Sequence, residues 1–135
     1  MTQGPEGYAP PTDADIRQLV ARLTAQRNRH NQEGAQAKED GRRYGHTIAL
    51  ERLTYEQCLE LQRDCSADVT IRVMFGPDVD ATKAWWTCTQ PPNTVPGAPG
   101  MELPSKHYLQ QWAEGLAEGI TEVRGKVSEI GEMRF

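Results

Sequence analysis

The sequence predicts one small α+β domain: a three-stranded sheet with a short helix, flanked by a long N-terminal helix and a long C-terminal helix, with Pro-rich extended arms. Three observations carry that prediction. Residues 68–75 place Val69, Ile71, Val73 and Phe75 at alternate positions, apolar residues recur at heptad spacing from Leu109 to Ile130, and eight of the nine prolines fall within 1–11 and 90–104. The expected organisation is an extended N-terminal arm at 1–11, a small α+β domain at 12–89, a Pro-rich linker or arm at 90–104 and an amphipathic helix at 105–135.

Pro5, Pro10 and Pro11 hold the first stretch extended, because proline fixes φ and donates no hydrogen bond. Pro91, Pro92, Pro96, Pro99 and Pro104 do the same for the second, whose fifteen residues could span roughly 45 Å as polyproline. Such a segment is either a linker or an arm laid along a neighbouring subunit. Thr12 before Asp13 and Asp15 reads as a helix start, with acids where the helix dipole favours them. Ile16, Leu19, Val20 and Leu23 follow at i, i+3, i+4 and i+7 as one apolar stripe. Arg27 and His30 take the continuing positions, so the stripe ends there. With Gly34, Gly41 and Gly45, residues 31–45 read as a loop, although Ala35 to Asp40 could prolong the helix.

His46 to Leu53 reads as a first strand, and Thr54 with Gln57 as a capping box opening a short helix to about Ser66. Asp68 to Phe75 gives the second strand, with Val69, Ile71, Val73 and Phe75 inward. Gly76-Pro77-Asp78 is turn chemistry, and Ala81 to Thr89 returns as a third strand with Trp85 and Trp86 on opposite faces. A competing reading makes 46–66 a single helix. From Ser105, a plausible N-cap, the seam runs through Leu109, Ala113, Leu116, Ile120, Val123, Val127 and Ile130. Gly115, Gly119 and Gly125 interrupt this helix, and each costs about 1 kcal/mol relative to alanine. The seam therefore needs a partner, which is either the chain's own sheet or another subunit. Leu109, Trp112, Leu116, Ile120, Val123, Val127 and Ile130 are the expected interface residues.

Leu, Ile, Val and Phe number 23, or 17% of the chain, a thin supply for a core. No apolar run approaches the roughly 18 residues of a membrane span. Met1 to Pro11 lacks the pattern of a secretory signal peptide, so a cytoplasmic location, or one within an assembled particle, is expected. The net charge of -4 argues against a nucleic-acid coat. Cys58, Cys65 and Cys88 lack the spacing of a disulfide framework. Cys88, His46 and His107 could complete a metal site with Cys58 and Cys65, but without a C-x-x-C pair the zinc signal is poor and buried thiols are expected. Asp78 and Asp80 beside a turn could hold a divalent cation but are ordinary turn residues there. Neither a metal nor a cofactor is expected, and no nucleophile motif points to an enzyme.

The leading expectation is a non-enzymatic structural or accessory subunit of a larger homo- or hetero-oligomeric assembly, acting through protein–protein contacts. In style the chain resembles small accessory proteins of viral particles, with no motif that names a family. The alternative is a small regulatory protein capturing nucleic acid or an anionic ligand through Arg27, Arg29, Arg42 and Arg43, with Trp85 and Trp86 as stacking faces.

Overall fold

A computed structural model describes residues 7–133. All regular structure among them is helical: α1 (Asp13–Arg52), α2 (Tyr55–Arg63), α3 (Ala67–Phe75), α4 (Ala81–Thr89) and α5 (Lys106–Gly131). The expected three-stranded sheet is replaced by helix throughout. Residues 46–52 are the end of α1, 68–75 lie in α3, and 81–89 are α4. The chain divides into two units, Met1–Gln32 and Glu33–Phe135. Residues 1–6 of the expected N-terminal arm lie outside the described residues.

In the first unit, Thr12 caps α1 reciprocally with Asp15. The Thr12 hydroxyl accepts from the Asp15 amide at 3.2 Å, and the Asp15 carboxylate accepts from the Thr12 amide at 2.9 Å. The stripe Ile16, Leu19, Val20 and Leu23 is exposed.

Residues 31–45, whose glycines predict a loop, are helical, and from Glu33 onward they belong to the second unit. Gly41 and Gly45 lie where α5 comes closest. A Cβ on Gly41 would run into the Trp112 carbonyl, and one on Gly45 into the Leu116 carbonyl. The fit is reciprocal: a Cβ on Gly115 would strike the Lys38 carbonyl, and one on Gly119 the Arg42 carbonyl. Each helix thus presents a Gly-x-x-x-Gly pair to the other, the spacing that lets two helical backbones touch. The helical penalty of these glycines is offset by the backbone contact they permit.

Partners along this seam rise together in number. Gly34 lies beside His107, Lys38 beside Gly115, Arg42 beside Gly119, and His46 beside Glu122. The later part of α1 and α5 therefore run parallel, and the chain must return between them. Residues 53–105 make that return through the three short helices and the proline segment.

The helix starts carry the signals expected of them. Thr54 and Gln57 form the full capping box of α2, at 2.8 and 3.1 Å. Asp80 accepts from the Lys83 amide at 2.9 Å to open α4, and Ser105 accepts from the Tyr108 amide at 3.1 Å to open α5. The single helix over 46–66 of the competing reading breaks at this Thr54 cap.

α3 explains why a strand was expected. Its apolar residues alternate, but Val69/Val73 and Ile71/Phe75 are also i, i+4 pairs, so a nine-residue run satisfies both periods. Burial decides for helix: Thr70, Ile71 and Met74 are the buried face, a grouping no strand could make. Packing against α5 overrides the β propensity of valine and isoleucine. Trp85 and Trp86 are neighbours on a helix rather than on opposite strand faces. Trp86 is buried, and its Nε1 donates to Thr94 Oγ1 at 2.8 Å, while that hydroxyl donates to the Pro91 carbonyl at 2.6 Å. These bonds tie the proline segment onto α4.

Trp112 is the largest fully buried side chain, within a core shared with Ala37, Ile48, Leu61, Ile71, Leu116 and Ile120. The glycine fit gives opposite signs to chemically identical substitutions. Gly41→Ala and Gly115→Ala should each destabilise the protein by about 1–3 kcal/mol or more through overpacking against backbone. Gly125→Ala, with nothing within 4 Å, should stabilise it by about 0.5–1 kcal/mol through helix propensity. Urea unfolding of the three variants checks this; stabilisation by all three would refute the close contact.

Candidate functional site

α1 and α5 end together, and their last turns leave an apolar groove of about 970 Å³. Leu50 contributes from α1, Val123, Val127 and Ile130 from α5, and Met133 from the segment beyond. Glu132 adopts a left-handed conformation, φ 53°, that ends α5. The Met133 amide then donates back to the Ser128 carbonyl at 3.2 Å, which keeps the methionine at the groove. Leu50 is 78% exposed and Ile130 82%, values unusual for side chains of this kind grouped together.

The expected interface residues fall into two sets. Leu109, Trp112, Leu116 and Ile120 are buried in the chain's own core. Val123 is half-buried, and Val127 and Ile130 line the groove. The first part of the seam is used by the later part of α1, with α3 and α4, rather than by a separate chain. Leu50 and Met133 were not among the expected interface residues. The sequence reads Leu50 as part of a strand, and the signal that brings it to α5 is the pairing of Gly41/Gly45 with Gly115/Gly119.

Charge gathers along the same seam. Arg42 Nε donates to Glu122 Oε1 at 2.8 Å, and His46 Nε2 lies 2.9 Å from Glu122 Oε2. Lys38 pairs with Glu118 at 3.1 Å, and Tyr108 donates to Asp40 at 2.8 Å. The hydrogen bond from Arg42, then that from His46, holds the Glu122 carboxyl at about 2, below its ordinary 4.5. Burial and the Asp40 contact push the Tyr108 hydroxyl up to about 12.

Of the four arginines, two lie in each unit. Arg27 and Arg29 belong to the first unit, while Arg42 and Arg43 belong to the second and engage Glu39, Arg42 also engaging Glu122. An anion at Arg42 or Arg43 would compete with these carboxylates. Among the described residues, no three His, Cys, Asp or Glu side chains group as metal ligands. Asp80 serves as a helix cap. The cysteines are free, and burial pushes the Cys88 thiol up to about 11, which keeps it protonated and weakly nucleophilic. No helix among the described residues is long and apolar enough to cross a membrane. No family model, curated protein or solved structure matches the chain.

Because Glu122 has a depressed pKa, its contribution to stability is complete above about pH 4.5 and disappears as pH falls through about 2. Glu122 is nearly half exposed, so the pair contributes less than about 1 kcal/mol. Glu122→Gln should therefore cost under about 1 kcal/mol at pH 7 and flatten the stability profile between pH 4.5 and 2. Thermal unfolding across that window measures it, and an acid profile identical to wild type would show that Glu122 is not held by this network.

Proposed function

We propose that the chain is a non-enzymatic structural or accessory subunit of a larger oligomeric assembly, working through protein–protein contacts. The observation that supports this reading is unused apolar surface. With only 23 Leu, Ile, Val and Phe residues, the chain leaves Ile16, Leu19, Val20 and Leu23 exposed on α1 and Leu50, Val127 and Ile130 exposed around the groove. Covering apolar surface is favourable by about 25 cal/mol per Å², so each 100 Å² or so contributes roughly 2.5 kcal/mol before the entropic costs of association. A monomer gains nothing by displaying two such faces. Three free cysteines support a reducing setting, cytoplasmic or within an assembled particle.

Light scattering over a roughly hundredfold concentration range tests the reading. The expected result is a species heavier than the 15.1 kDa chain whose mass falls on dilution. A monodisperse 15.1 kDa particle at every concentration would overturn self-assembly as the mode of action.

A further inference from the structure

The two uncovered apolar faces are complementary. On the first unit, Ile16, Leu19, Val20 and Leu23 form a stripe at i, i+3, i+4 and i+7, the spacing with which a helix seats its anchors in an apolar groove. On the second, the groove offers Leu50, Val123, Val127, Ile130 and Met133. Their charges also match. Residues 13–32 carry four arginines against two acids, with Arg17 and Arg22 beside the stripe. The charged and titratable groups lining the groove are Glu122, Glu129, Lys126 and His46; Lys126 lies 3.6 Å from Glu129, and Glu122 already meets Arg42 at 2.8 Å and His46 at 2.9 Å. Arginines flanking an inserted helix would meet a rim richer in carboxylates.

We propose that the groove binds the Ile16–Leu23 stripe of a second copy of this chain. This rests on the subunit reading above and specifies its contact. Stripe and groove are different surfaces, so the contact is heterologous: each copy offers a groove to one neighbour and a stripe to another. Repetition of such a contact builds a ring if the rotation closes and a filament if it does not. One two-turn helix in one groove is a small interface, so association should be weak and concentration-dependent, and raised salt should weaken it further.

Two exposed substitutions separate the halves of the contact. Val20→Asp removes the stripe and leaves the groove, whereas Ile130→Asp removes the groove and leaves the stripe; circular dichroism confirms that both fold. Each variant alone should lose at least about tenfold in association and remain near 15.1 kDa by analytical ultracentrifugation. Mixed in equal amounts, they should form a 1:1 dimer that grows no further, because the only intact groove in each pair is filled by the only intact stripe. Assembly of either variant alone as in wild type, or a mixture that stays monomeric while wild type assembles, overturns the stripe-in-groove contact and leaves the subunit reading standing. A wild-type chain that is monomeric throughout overturns the stripe-in-groove contact together with self-assembly as the mode of action.

Discussion

At Gly41, Gly45, Gly115 and Gly119 the backbone of one helix lies directly against that of another, and a single methyl group at any of them would meet a carbonyl oxygen. Much of the second unit follows from this contact. It fixes which residues of α5 face inward, so Trp112, Leu116 and Ile120 become core. It sets the spacing at which Lys38, Arg42 and His46 reach Glu118 and Glu122. It also lets a chain poor in large aliphatic residues form a core, since touching backbones leave little volume to fill.

Direction is the second consequence. Two parallel helices from one chain cannot be joined by a tight turn, so 53–105 must carry the chain back from the end of α1 to the start of α5. Three nine-residue helices do this, α3 and α4 covering α5 and α2 packing on α3, and the proline segment completes it, anchored by Thr94 between Trp86 and Pro91. The Ser105 hydroxyl then donates to Glu33 at 2.7 Å, placing the start of α5 beside the beginning of the packed part of α1. The glycine pairs stop at Gly119, and beyond Ile120 the seam residues are progressively exposed, ending in the groove.

How legible this was depended on the range of each interaction. Local signals read true: the Thr54–Gln57 box, the Ser105 cap and the helical period of α5 depend on residues within a turn of one another. Nonlocal ones did not. Gly34, Gly41 and Gly45 signal a loop because glycine disfavours helix in isolation; at Gly41 and Gly45 a facing backbone some seventy residues away reverses that preference, while Gly34 faces the His107 side chain. The alternation in 69–75 fits both periods, and burial against α5 rather than the pattern selects helix. The groove was half visible: Val127 and Ile130 stood on the heptad seam, whereas Leu50 and Met133 reach it through the α1–α5 pairing and the left-handed turn at Glu132.

The backbone contact is open to direct observation by nuclear Overhauser spectroscopy on isotopically labelled protein. Cross-peaks should join the α-protons of Gly115 to those of Lys38, and those of Gly119 to those of Arg42, since only helices in backbone contact bring such protons within roughly 5 Å. Well-resolved, assigned resonances at all four residues with no such cross-peaks would contradict the account, and with it the core, the return path and the groove that depend on the contact.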